Sequence, residues 1–272
     1  MMSYSYGITL LILCPLIFLA AFIDSIAGGG GLISLPAYLL AGLPIHTAHG
    51  TNKFTASMGT AVAMVNYVKN RCVDFRSAIA GSIFALLGSW LGTNLALYLS
   101  PRALQMSLVF ILPLAGLFIL VRGNRGPGRG AAMQESVDAA LEKSLSPGTK
   151  LIISALIGLV IGAYDGFFGP GTGMFMTLAF TFLIRMELLK AAGTARAVNL
   201  SSNVASLLTW LRSGNVLFPV AIPCMLCAMA GGFLGSRLAI RVGKKFIRIV
   251  LIVAALLLFA RVLFDLISAL TL

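Results

Sequence analysis

Charge is what this sequence has least of. Eight acidic and 20 basic residues occur in 272 positions, and histidine occurs only twice. Soluble domains carry about a quarter charged residues. A tenth charged, with 59% hydrophobic residues and a mean hydropathy of +0.99, excludes an ordinary soluble fold. No ATP-binding motif is present, so nothing in the chain points to nucleotide-driven work. The two histidines and four cysteines form no set with metal-ligand spacing, so neither a metal nor another cofactor is expected. Cys224 and Cys227 share a helix face inside an apolar run. Without electropositive neighbours to stabilise a thiolate, they read as packing residues. The net charge of +12 would suggest nucleic acid in a soluble protein. Here the basic residues fall mostly between apolar runs, so they mark membrane topology and no nucleic-acid partner is expected.

What the chain does have is long uncharged runs: 77–101, 103–121 and 213–236. A helix needs roughly 20 apolar residues to cross a hydrocarbon core of about 30 Å, so the lipid bilayer is the first partner implied. The opening stretch 7–23 lacks the basic n-region of a secretory signal and has a counterpart at 151–164, so it reads as a retained first helix.

The chain also repeats itself. Phe22-Ile-Asp24-Ser-Ile-Ala-Gly28-Gly-Gly-Gly31 is echoed by Ala163-Tyr-Asp165-Gly-Phe-Phe-Gly169-Pro-Gly-Thr-Gly173. Ala48-His-Gly50-Thr-Asn-Lys53 is echoed by Ala191-Ala-Gly193-Thr-Ala-Arg196, and Leu91-Gly-Thr-Asn-Leu-Ala96 by Leu234-Gly-Ser-Arg-Leu-Ala239. The chain divides into a membrane repeat at 1–122, a polar linker at 123–149 and a second membrane repeat at 150–272. In the linker, Met133, Val137 and Leu141 recur at four-residue spacing, which suggests a short amphipathic surface helix. Spans are expected near 51–69, 77–99 and 103–121, and again near 193–211, 216–239 and 246–264. The short apolar pieces 32–45 and 174–184 are either tilted spans or re-entrant half-helices.

An odd number of crossings per repeat puts the loops 69–76 and 237–248 and the stretch 122–150 around the linker on one side, with thirteen Lys and Arg residues against Arg102, Arg212 and Arg261 on the other. An even number nearly abolishes the bias. The positive-inside rule therefore favours two inverted-topology repeats in an all-α membrane protein, with 8–10 transmembrane helices including broken or re-entrant ones. The linker would then be cytoplasmic and both termini outside.

Asp24 and Asp165 are the sharpest candidates for chemistry, because a carboxylate in hydrocarbon faces a bundle interior, a cavity or a proton path. Each reads either as a proton-coupling group or as a cap for its own glycine run. The knots, Gly28, Gly29, Gly30 and Gly31 and then Gly169, Gly171, Thr172 and Gly173, cannot sit inside a continuous helix. Unwound backbone at membrane depth lines a cavity or is buried, and half-helix N-termini starting there would form an anion site; close packing through small residues is the plainer reading. Thr51, Asn52 and Lys53, matched by Thr194 and Arg196, place a cation at the start of a span in each repeat. It would pair with an anionic substrate, with the Asp of its own repeat, or with lipid headgroups. Asn199 and Ser202, with Ser201 and Asn203, continue that polar face. His49, beside His46, reads as a proton relay or an interfacial loop residue.

On these motifs the sequence resembles the sulfite exporter TauE/SafE family across both repeats, the linker excepted. The resemblance implies a cytoplasmic-membrane permease for small anions, often sulfur-containing ones such as sulfite or organosulfonates. The second copy has Ala195 where the first has Asn52, so the two halves need not make the same contact. The residues themselves favour a secondary transporter, driven by protons or by the anion's own gradient. Transport direction stays open, with export favoured, and a homo-oligomer is compatible with the sequence. An intramembrane aspartyl protease would use Tyr164-Asp165, but Asp24 precedes its glycines where that class needs an Asp after them. A membrane thiol-redox conduit through Cys224 and Cys227 would want a second pair.

Overall fold

The computed structural model describes residues 5–100 and 145–254. The expected span at 103–121, the linker helix carrying Met133, Val137 and Leu141, and the end of the span at 246–264 lie outside the described residues. Within them the chain is helical: α1 (Tyr6–Ala27), α2 (Gly31–Leu40), α3 (Ile45–Lys69), α4 (Phe75–Tyr98), α5 (Pro147–Phe167), α6 (Thr172–Leu183), α7 (Leu188–Arg212) and α8 (Phe218–Val242), then a further helical segment at 244–254. Asp74 starts α4 by accepting from the Ser77 N–H at 3.2 Å, and Ser146 starts α5 by accepting from the Thr149 N–H at 3.1 Å ahead of Pro147.

The bundle is apolar outside and polar inside. Leu11, Ile79, Leu95, Val160 and Leu226 are exposed, whereas Thr55, Ser89, Thr93, Ser202 and Ser206 are buried. That arrangement suits a hydrocarbon solvent, where helices associate through small residues and interhelical hydrogen bonds. α1, α4, α5 and α8 are long and apolar enough to cross a membrane. The chain is thus an all-α, multi-pass membrane protein. At ~1.5 Å per residue, α2 and α6 reach only roughly 15 and 18 Å and fall short of a full crossing. α2 turns back along α1, with Leu35, Ala37 and Tyr38 packed on Leu13 and Ile17. The short apolar pieces are therefore turned-back half-helices.

Side-chain registers fix the helix directions. The Tyr6 hydroxyl donates to the Pro219 carbonyl at 2.9 Å while Phe18 meets Gly231 and Ser25 meets Gly235, so α1 and α8 run parallel. Gly81, Ala85 and Ser89 of α4 face Gly158, Gly162 and Gly166 of α5 in the same order. Ser89 and Thr93 of α4 donate to Ser202 and Ser206 of α7 at 2.6 and 2.8 Å, again parallel. Phe54 and Asn66 of α3 meet Phe218 and Ser236 of α8. In contrast, Trp210 near the end of α7 stacks on His49 near the start of α3, and Gly193 at the start of α7 abuts Tyr67 near the end of α3. Hence α1, α3 and α8 run one way and α4, α5 and α7 the other, each opposite to its counterpart in the other repeat. The loop at 70–74, the start of α5 and the end of α8 share one end of the bundle. That end collects Lys69, Arg71, Arg76, Lys150, Arg185, Lys190, Arg237, Arg241, Lys244, Lys245 and Arg248, against Arg212 at the other among the described residues.

The Leu-Gly echo now has a structural role. Gly92 and Gly235 let the α5 and α1 backbones pass at van der Waals contact, and the adjacent Thr93 and Ser236 hydroxyls tie the helices together. A Cβ at Gly158 would run into the Gly81 carbonyl, whereas one at Gly7 meets nothing within 4 Å. Gly158→Ala is expected to destabilise by about 1–3 kcal/mol through overpacking, despite the better helix propensity of alanine. Gly7→Ala is expected to leave the melting temperature unchanged or raised, and thermal unfolding of both in detergent checks the contrast.

Candidate functional site

The two glycine knots meet tip to tip. Gly28, with φ +87, ends α1, and Gly171, with φ +80, precedes α6; both are backbone states that side chains with a Cβ avoid. Gly28 packs directly on Gly173, the Met174 N–H donates to the Gly28 carbonyl at 3.3 Å, and Gly31 lies against Pro170. The N-termini of both half-helices therefore face each other across the middle of the bundle.

Beside this contact lies a cavity bounded by Asp24, Gly28, Gly30, Gly31, Asn52, Lys53, Asp165, Gly169, Thr172, Gly173 and Asn199 from the expected set. Ser34, Thr55, Thr60 and Asn203 join the lining. The i, i+4 spacing of Asn199 and Asn203 on α7 is the signal for that face. On α3, Thr55 and Thr60 add hydroxyls from the first repeat. Asn52 and Asn199 stand one turn apart in equivalent positions, so each repeat supplies one amide where the other has Ala195 or Ala56. The side-chain oxygens of both amides are buried without a hydrogen-bond partner, as polar atoms held for a ligand would be.

Its charges are paired across the repeats. Lys53 of α3 binds Asp165 of α5 at 2.7 Å, and Arg196 of α7 binds Asp24 of α1 at 2.9 Å. Of the partners left open for each cation, the Asp of its own repeat is excluded, and a carboxylate is bound from the other repeat instead. The repeats pack antiparallel through α3 and α7, and this brings each cation to the other repeat's knot. The two pairs differ. Lys53 also donates to Asn203 Oδ1 at 3.0 Å and Asp165 also accepts from Ser202, and both charged side chains are only 3% exposed. Asp24 is 21% exposed and its other oxygen accepts from the Gly30 N–H at 3.1 Å. For Asp24 the capping and charge-pairing readings hold together.

Other expected site residues sit elsewhere. Thr51 and Thr194 accept from the backbone N–H groups of Leu217 and Asp74, at 3.1 and 3.0 Å, and so fasten the starts of α8 and α4. Neither lines the cavity, nor do Gly29 and Gly171. Ser202 reaches the site only through Asp165, and Arg196 lies behind Gly173. His49 is buried against Trp210, with ring centroids 5.9 Å apart, outside the lining. Cys14 of α1 lies against Cys224 and Cys227 of α8, and all three thiols are free. No metal-ligating group of three or more occurs among the described residues.

The sequence profile of the family described as sulfite exporter TauE/SafE matches residues 13–262. The chain is 36% identical over 248 residues to a "Probable membrane transporter protein" of Haemophilus influenzae, covering 91% of this chain and 92% of that protein. It is 33% identical to the "Probable membrane transporter protein ORF9" of a Sinorhizobium species, covering 91% and 90%. It is 31% identical to the "Probable membrane transporter protein YfcA" of Escherichia coli K12, covering 91% and 87%. No solved structure matches the chain.

Removing one member of a buried ion pair leaves the other charge uncompensated, at a cost of about 3–5 kcal/mol, whereas apolar replacement of both is often near neutral. Lys53→Met is therefore expected to lower the melting temperature strongly, and Lys53→Met with Asp165→Leu to recover most of the loss. Equal loss in the single and double variants, read by thermal unfolding, would contradict a coupled pair.

Proposed function

The chain belongs to the sulfite exporter TauE/SafE family, and from that premise we propose that it is a secondary-active carrier that exports a small, sulfur-containing oxyanion across the cytoplasmic membrane. That it is a membrane transporter follows from the family and from the apolar, multi-pass bundle. The single observation carrying the finer reading is the exchanged pairing: one cation and one carboxylate from each repeat converge on a cavity at the tips of two turned-back half-helices. Half-helix N-termini carry positive dipole ends and suit an anion. Paired carboxylates beside them suit proton coupling.

The opposed directions of α1 and α5, of α3 and α7 and of α4 and α8 support an inverted repeat, the architecture in which rocking of one half on the other exposes a central site to alternate sides. Crowding of basic residues at one end supports a cytoplasmic location for the 70–74 loop and for the linker. The intramembrane-protease reading loses its chemistry, since such a dyad works by two carboxylates sharing a proton, whereas here each carboxylate is neutralised by a cation.

In proteoliposomes with sulfite, thiosulfate, sulfate or sulfoacetate, saturable flux of at least one anion is expected, accelerated by a pH gradient and reduced at least tenfold in Arg196→Ala. Absence of flux for all four would remove the sulfur-oxyanion reading. In spheroplasts, a variant retaining only Cys72 is expected to react with a membrane-impermeant maleimide only after permeabilisation, and a cysteine-free variant carrying Ser213→Cys before it. The opposite pattern would invert the orientation.

A further inference from the structure

Three ionisable groups line the cavity, Asp24, Asp165 and Lys53; with Arg196, which holds Asp24 from behind Gly173, they sum to zero charge, and each cation is already neutralised. An anion entering such a site adds an uncompensated negative charge where little water screens it. It must either displace a carboxylate from its cation or arrive with a positive charge. We propose that both happen at one pair: a singly charged oxyanion takes the place of the Asp24 carboxylate on Arg196, and Asp24 binds one proton in the same event, while Lys53–Asp165 stays closed. This rests on the anion-carrier reading above and adds which pair exchanges, the charge of the favoured substrate and the stoichiometry.

Three observations select the Arg196–Asp24 pair. First, its carboxylate is open to the cavity, 21% exposed, whereas the Lys53–Asp165 side chains are 3% exposed and carry additional bonds from Asn203 and Ser202. Opening that second pair disturbs a network of four side chains; opening the first breaks one bond to Arg196 and leaves Asp24 on the Gly30 N–H. Second, Arg196 is fully buried, yet its Nε and Nη2 have no hydrogen-bond partner, with only Nη1 bound to Asp24. An oxyanion that replaces Asp24 on Nη1 finds the free Nη2 beside it for its second oxygen, the planar end-on fork of a guanidinium. Third, Nη2 lies against Gly173, at the start of α6, in the wall that separates Arg196 from the cavity. A buried cation with free donors behind a half-helix N-terminus is a site prepared for an oxyanion.

The charged and titratable groups around Asp24 are Arg196 on α7, Lys53 and Tyr67 on α3, and Asp165 of α5 across the cavity. α2 contributes the Gly30 N–H that precedes it, and α6 and α8 contribute Thr172, Gly173 and Ala228. When the anion occupies Arg196, Asp24 loses its nearest counter-charge, and the proton that neutralises it comes from the water on the loading side. No covalent bond forms or breaks within the anion, and the bound site returns to zero net charge. By linkage, the anion raises the affinity of Asp24 for the proton and the proton raises the affinity of the site for the anion by the same factor. Transport of a monovalent oxyanion is then electroneutral, one proton moving with each anion.

The test is calorimetric titration of the purified full-length protein near neutral pH with anions whose own charge stays fixed there: methanesulfonate, isethionate, thiosulfate and sulfate. Repeating it in buffers of different ionisation enthalpy counts the protons taken up. The expected result is a sulfonate bound with one proton in the wild type and with none in Asp24→Asn, which still binds it and does so independently of pH. Binding without proton uptake in the wild type overturns this inference and leaves the carrier reading standing. Proton uptake that persists in Asp24→Asn overturns the choice of pair; if that variant fails to fold, Asp24→Ser decides by the same readout. Binding of none of the four overturns the carrier reading and this inference with it.

Discussion

Two cations buried in this bundle, Lys53 and Arg196, find their counter-charges in the other half of the chain, and most of the structure follows from that exchange. An unpaired charge at membrane depth is costly enough that neither repeat holds its own cation and carboxylate without the other. Pairing across the repeats needs α3 and α7 antiparallel, with the starts of both helices polar. It also needs each knot delivered to the opposite repeat, where α2 and α6 turn back from the ends of α1 and α5. The glycine contact between Gly28 and Gly173 is the geometric consequence: the tips come close enough for the ion pairs only if neither carries a side chain.

The periphery serves the same end by different means. Parallel pairs α1–α8 and α4–α5 draw together through glycine and alanine faces, so each helix of one repeat is braced by a helix of the other. Hydroxyls fill the polar needs of these contacts, as where Thr93 donates to the Gly166 carbonyl and to Ser206. In lipid, where apolar surface gives helices no reason to associate, such close backbone approach and interhelical hydrogen bonding carry the packing. The two repeats are thereby interleaved.

Much of this was legible in the sequence because membranes penalise ambiguity. The uncharged runs 77–101 and 213–236 marked the spans α4 and α8, the doubled Asp-plus-glycine knots marked the broken helices, and the basic loops predicted the end of the bundle where Lys69, Lys150 and Arg248 gather. Asp24, Lys53, Asp165 and the knot glycines stood out because each is expensive where it sits. What the sequence could not give was partnership. Spacing along one repeat suggests Lys53 for the Asp of its own repeat, and only the antiparallel packing of α3 on α7 brings Asp165 to it instead. Thr51 and Thr194 looked like site hydroxyls for the same reason: they neighbour Lys53 and Arg196 in sequence, yet one residue along a helix turns a side chain by about 100°, here toward the starts of α8 and α4. Thr55 and Thr60 escaped notice because a polar residue inside a helix declares its face only when the neighbours are known.

The most direct measurement is an experimental structure of the protein with a transported anion bound. Oxyanion density is expected in the cavity beside the two glycine tips, within hydrogen-bond reach of the Arg196 guanidinium, with Asp24 withdrawn from Arg196 and Lys53 still on Asp165. Density away from both cross-repeat pairs, or an anion bound while Asp24 keeps its contact with Arg196, would contradict the exchange.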